Sequence, residues 1–244
     1  MGKEIEKERE KFFNDCRKKE DFSKRWDDFI QKFGYTSIYS IHAINNSGSF
    51  NKPNRGETYS DFIAEKILKD KPSLALPKIQ DLAYLRERNG EKIGACEEKV
   101  QRQLAKNWII GGPFGRFVTF EFTLMGHGKG FDLVTYDDKN KSLCFIELKA
   151  GENKDSILHG ALELESYFET VDFNKLRDEL SAEENRKKYG QIAEFDSKKS
   201  RKVLYLPQDS VVYKKYCEKD ALPQVKKLVE YYGVEILTYD QSLV

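Results

Sequence analysis

Two carboxylates and a lysine, Asp132, Glu147 and Lys149, fall within the apolar stretch GFDLVTYDDKNKSLCFIELKA at residues 130–150. A trio of that kind can hold a hard cation and act on water beside it. Residues 131–136 and 143–148 are β-branched, aromatic and aliphatic, and Asp138-Lys139-Asn140-Lys141 between them is rich in turn formers, so the stretch predicts a β-hairpin. With Lys139-Asn140 as a two-residue loop, Asp132 lies opposite Glu147, their Cβ atoms about 5 Å apart, and alternation puts Lys149 on the same face. Val134, Tyr136, Leu143 and Phe145 complete that face; Phe131, Leu133, Cys144, Ile146 and Leu148 make the other. Both faces are apolar, as in strands covered on both sides, where a like-charged pair needs a cation or a partner. Oxygen ligands select Mg²⁺, or Mn²⁺ in its place, over zinc. A metal there polarises a phosphoryl oxygen and generates hydroxide from water, with Lys149 placed to orient that water or stabilise the developing charge.

Asp132 followed by Glu147-Leu148-Lys149 resembles the D…ExK signature of the PD-(D/E)xK, or restriction-endonuclease-like, nuclease superfamily, and the resemblance covers roughly residues 91–244. It implies that Asp132 and Glu147 are metal ligands, the Leu148 carbonyl a third, and Lys149 the catalytic lysine. Phe131 stands where the family places a proline. The implied fold is an α/β core of helix, three-stranded antiparallel meander, helix, strand, helix and strand, its mixed sheet flanked by helices. The implied activity is Mg²⁺-dependent hydrolysis of phosphodiester bonds by a DNA endonuclease of restriction, repair or defence type. Nucleic acid is the partner, DNA ahead of RNA, with a homodimer left open. Two alternatives stand beside it: a nuclease-fold binding or assembly module with little or no catalysis, and an unrelated α/β protein in which these charges form a structural ion pair.

The composition sets bounds. The chain of 244 residues is 39% hydrophobic and 34% charged, with a formal net charge of +1, which excludes a long disordered chain and a global field for polyanions. Phosphate binding must therefore be local. Cys16, Cys96, Cys144 and Cys217 are scattered without metal-site spacing, as expected of reduced thiols in a cytoplasmic protein. No signal peptide or membrane-length apolar run is visible, so no membrane partner is expected.

The elements that must position the trio follow from periodicity. Residues 1–90 form a mainly helical region: a helical arm over 3–33 ending at Gly34, a short strand over 35–44, a polar loop, and helices over 58–70 and 78–88. The nuclease-like domain spans 91–244. Its opening helix, 91–107, has the stripe Ile93, Val100 and Leu104; Glu97 lies about 40° from Ile93 whereas Glu98 points roughly 140° away, so Glu97 faces inward. By resemblance Glu97 is a further metal-site acid. A strand over 116–125 leads to the glycine-rich loop 126–130, in which Lys129 can contact a phosphate and His127 is a loop residue.

Asp155 is the expected N-cap of a helix reaching about residue 170. Family members often carry a Gln and a Tyr four residues apart here; Glu163 and Tyr167 occupy those places, which implies a supporting role at the site. Residues 173–189 read as one charged helix. Lys198, Lys199, Arg201 and Lys202 then form the densest basic patch, read either as a nucleic-acid contact or as a solvated loop, ahead of a strand over 203–206. Pro223 opens a last helix, Gly233 ends it, and 234–239 is the final strand.

Overall fold

The computed structural model describes residues 19–34, 53–76, 84–85, 96–109, 111–124, 130–150, 156–190, 192 and 194–240. Its centre is a five-stranded mixed sheet in the order β1 (Arg116–Thr123), β2 (Gly130–Asp137), β3 (Ser142–Leu148), β4 (Arg201–Pro207), β5 (Val234–Tyr239). The first three strands are antiparallel, and β3, β4 and β5 run parallel. Parallel neighbours require crossovers, and here these are helical. Between β3 and β4 lie α4 (Ile157–Thr170), α5 (Phe173–Ser181) and α6 (Glu183–Tyr189); between β4 and β5 lie α7 (Val211–Cys217) and α8 (Pro223–Tyr232).

Helices cover both faces. On one, Leu104, Ala105 and Trp108 from α3 (Cys96–Asn107) and its C-terminal end pack on Leu133, Cys144, Ile146, Leu148, Val203, Tyr205 and Tyr239. On the other, α4 and α8 bury Ala161, Leu164, Val225 and Leu228 with Val134, Phe145 and Leu204. The same core takes in α1 (Lys19–Phe33) through Trp26 and α2 (Pro53–Asp70) through Ile63 and Ile67. The Asp61 carboxylate of α2 accepts the N–H groups of Gln224 and Val225, capping α8, whose own N-cap position is Leu222. The N-terminal helices are thus joined to the sheet by shared core and by hydrogen bonds. Among the described residues no helix is long and apolar enough to cross a membrane.

Several sequence expectations change in detail. The hairpin pairs Leu133 with Ile146 and Asp137 with Ser142, the expected register, but its loop is the four residues 138–141. The Asp137 carboxylate builds that turn by accepting the N–H groups of Lys139 and Asn140 and the Asn140 side-chain amide, and Lys141 takes φ +53°. Phe131 is expected on the face opposite Phe145, yet their rings lie 4.6 Å apart and both join the core on the α4 side. Ser156, rather than Asp155, caps α4, its hydroxyl accepting the His159 N–H. The single helix over 173–189 is two helices, since Ala182 is extended and its N–H turns back to the Asp178 and Glu179 carbonyls. The α7 helix was not expected. Of the helix expected over 78–88 only Tyr84 and Leu85 are described; they form a bend whose N–H groups donate to Glu179. The expected strand over 35–44 and residues 91–95 of the opening helix lie outside the described residues.

Candidate active site

The end of the sheet where β2 enters and β3 leaves gathers the charged trio. The β2–β3 ladder stops at the Leu133–Ile146 pair, and beyond it the Leu148 N–H donates at 2.7 Å to Asp132 Oδ2 instead of to a β2 carbonyl. A strand residue's N–H and C=O point to the same edge, so the Leu148 carbonyl also faces this gap. From the first turns of α3, buried Gln101 donates through Nε2 to the Asp132 carbonyl oxygen at 2.7 Å and to Oδ1 at 3.3 Å. Glu97, one helical turn earlier, acts electrostatically on both Asp132 and Lys149.

Lys149 is held from three strands and a helix. Its N–H donates to the Tyr205 carbonyl of β4, and its own carbonyl accepts the Tyr239 hydroxyl of β5, each at 2.9 Å. Its ammonium donates to Glu147 Oε1 at 2.6 Å and to Glu163 Oε2 at 3.3 Å. On α4, the Tyr167 hydroxyl donates to Glu163 Oε1 at 2.8 Å, and His159 Nε2 stands 3.3 Å from Glu163 Oε2. The helix comes this close because Gly160 faces β4: a Cβ there would lie 2.7 Å from the Leu204 side chain.

Glu147 and Glu163 pair directly with the one lysine ammonium while Asp132 and Glu97 act on it electrostatically, and the electrostatics reflect this excess of carboxylates. Burial, against the pull of Lys149, raises Asp132 from 3.8 to about 7. Glu147 is raised well above its ordinary value by burial first and by Asp132 and Glu163 next. Burial opposes the Lys149 ammonium, but Glu147, Glu163, Asp132 and Glu97 outweigh it and hold its pKa up. Burial and the neighbouring Glu163 and Glu147 also raise Tyr167, so its hydroxyl remains a donor.

The donor set fits a hard divalent cation in one specific respect. Glu147 Oε2 is buried and has no hydrogen-bond partner, an arrangement that is costly for a charged oxygen unless a cation meets it. Among the described residues no three His, Cys, Asp or Glu side chains converge closely enough to enclose a metal unaided. Mg²⁺ does not require that: it commonly takes one or two carboxylates and keeps several waters. Asp132, Glu147 and the Leu148 carbonyl form a set of that size.

The basic patch lies elsewhere. Arg201 and Lys202 begin β4 beside Cys144 and Phe145, so they sit toward the opposite end of the parallel β3–β4 pair from Lys149. Lys202 is buried in an ion pair with Glu165 and lies over the Phe168 ring, its side chain only 12% exposed. Arg201 forms a bidentate pair with Glu235, both bonds 2.7 Å. Lys198 and Lys199 are exposed, Lys199 lying 3.9 Å from Asp196. A phosphate contact by Lys202 would require breaking its pair with Glu165, whereas Lys198 and Lys199 are exposed on the surface. Lys129 and His127 lie outside the described residues.

Sequence reasoning missed Gln101, Tyr239 and the connection of His159 to the site. Gln101 was recoverable: it follows Glu97 by four residues, one helical turn, and therefore shares its face. Tyr239 had no local signal, since β5 reaches Lys149 only through the order of the sheet. Comparison of the chain with protein-family models, with curated proteins and with solved structures yields no match.

Proposed function

We propose that the chain is a metal-dependent nuclease with a restriction-endonuclease-like core, hydrolysing phosphodiester bonds of nucleic acid, DNA ahead of RNA. The observation that carries the reading is the buried, unpartnered Glu147 Oε2 beside Asp132 and Lys149 at one sheet end. The element order around it, a helix, three antiparallel strands, a helical crossover, a strand, a second crossover and a strand, supports it further.

Asp132, Glu147 and the Leu148 carbonyl would hold Mg²⁺ or Mn²⁺, with Glu97 as the further acid. When bound, such an ion supplies Lewis-acid polarisation of a phosphoryl oxygen and an acidified water. Gln101 fixes Asp132 from the α3 side, while the Leu148 N–H fixes it from β3. Lys149, a buried ammonium, orients the attacking water and stabilises charge that develops on the phosphate oxygens, where a donor in a low-dielectric site is worth most. Glu163 and Tyr167 keep that ammonium at the mouth of the pair.

The test is cleavage of supercoiled plasmid and of single-stranded DNA and RNA in Mg²⁺ or Mn²⁺ against EDTA. Lys149→Ala should lower the rate roughly 10²- to 10³-fold while Mn²⁺ affinity persists, whereas Asp132→Ala loses both. Absence of divalent-dependent cleavage from every substrate would refute the reading.

One observation favours a second reading. Asp132 joins β2 to β3 and to α3 through the Leu148 N–H and Gln101, as a purely structural ion and hydrogen-bond network also would. On that reading Asp132→Ala is strongly destabilising in metal-free protein.

A further inference from the structure

His159 lies outside the D…ExK set, yet it is only 4% exposed at the head of α4. Its spacing is informative. His159, Glu163 and Tyr167 stand at i, i+4 and i+8, one stripe of a single helix, and all three are buried polar side chains. Glu163 is the middle member: Oε1 accepts the Tyr167 hydroxyl at 2.8 Å, and Oε2 stands 3.3 Å from both His159 Nε2 and Lys149 Nζ. Burying three polar groups in a row is costly unless they satisfy one another. Here they converge on one carboxylate, which also accepts from the Lys149 ammonium. Donors to a buried carboxylate favour its charged form, and the charged form is what holds an ammonium.

The position of His159 is itself fixed. Its backbone N–H donates to the hydroxyl of the N-cap, Ser156, at 3.2 Å, so the imidazole is carried on the capped first turn of α4. The helix in turn is set against β4 by Gly160, the next residue, which packs on the Leu204 side chain. Leu204 pairs with Glu147 across the β3–β4 ladder. The close approach of α4 to the strands that carry Glu147 and Lys149 is therefore permitted by Gly160, the residue next to His159.

We propose that His159 is a positioning residue for Lys149: its imidazole N–H and the Tyr167 hydroxyl orient the Glu163 carboxylate, which then fixes where the ammonium stands relative to Glu147. The inference rests on the nuclease reading for its catalytic consequence, but not for its geometry. His159→Leu removes the donor while keeping bulk, and Tyr167→Phe removes the opposite one. His159→Gln keeps an N–H at similar reach and so serves as the conservative variant.

The experiment has two arms on the full chain. In EDTA, the ¹H–¹⁵N spectrum of lysine ammonium groups is recorded, the Lys149 signal being assigned by its loss in Lys149→Met. The wild type shows a slowly exchanging Lys149 signal; His159→Leu and Tyr167→Phe broaden or abolish it, and His159→Gln restores it. In Mg²⁺, His159→Leu lowers kcat roughly 10- to 100-fold, the scale of a catalytic group misplaced by about an ångström, with KM within about twofold, and His159→Gln recovers most of the loss. Thermal melting of each variant separates misfolding from misplacement. A Lys149 signal unchanged in folded His159→Leu and Tyr167→Phe overturns the proposal. If the signal responds as described but no protein variant, wild type included, cleaves any nucleic acid, the positioning stands and the nuclease reading falls.

Discussion

In metal-free protein Asp132 should be a liability, and replacing it by its neutral isostere should reveal how large. Burial raises its carboxyl from 3.8 to about 7 in the folded chain. Between those values the folded state keeps a proton that the unfolded chain has released, so stability falls as pH rises across that window. Below 3.8 both states are protonated and the cost is absent; above 7 it is complete. At 1.36 kcal/mol per pH unit the rise corresponds to roughly 4 kcal/mol, an upper figure because part of the repulsion is shared with Glu147. Asp132→Asn keeps an acceptor for the Leu148 N–H but turns an amide N–H₂ toward Gln101, a loss of about 1 kcal/mol. The variant should therefore be about 2–3 kcal/mol more stable than wild type at pH 8 and about 1 kcal/mol less stable near pH 4. Urea denaturation in EDTA at the two pH values measures this. If Asp132→Asn were less stable at pH 8 as well, the carboxylate would be ionised and holding Lys149 in a structural bridge.

Three further outcomes follow from other parts of the molecule. Lys202→Met should cost about 3 kcal/mol in urea denaturation, because it leaves the Glu165 carboxylate buried without its partner, and adding Glu165→Leu should recover most of that loss. Gly160→Ala should destabilise by about 1 kcal/mol: crowding Leu204 costs about 1–3 kcal/mol, and the helix gains up to about 1 from losing a glycine. Cys144, buried and with its thiol pushed up to about 12, should resist alkylation in the native protein, whereas exposed Cys217 should react, as read by peptide mass mapping.

The hairpin was legible because its information is local: alternating β-rich runs around a turn-rich tetrapeptide fix the register whether the loop has two residues or four. Helical phase turns Glu97 inward, where it acts electrostatically on Asp132 and Lys149, while Glu163 and Tyr167 follow from the family resemblance and are joined by a hydrogen bond. Charge density along the chain does not by itself say how the charges are placed in space. Lys198, Lys199, Arg201 and Lys202 are contiguous in sequence, but a strand sends alternate side chains to opposite faces, and Arg201 and Lys202 meet different acids, Glu235 and Glu165. Phe131 also departs from strict alternation, packing with Phe145 although its pairing with β1 stays in register. The anchors supplied by Tyr205 and Tyr239 depend on strands 50 and more residues away, and no local pattern announces such contacts.

A crystal soaked in Mn²⁺ and measured for anomalous scattering puts the central claim to its most direct test. The expected result is a peak within coordination distance of Asp132 and of the buried Glu147 Oε2, lost in Asp132→Asn, with Lys149 still beside Glu147. A map with no peak there, and the Glu147, Lys149 and Glu163 contacts unchanged at saturating Mn²⁺, would contradict the metal-dependent reading and leave a structural ion network in its place.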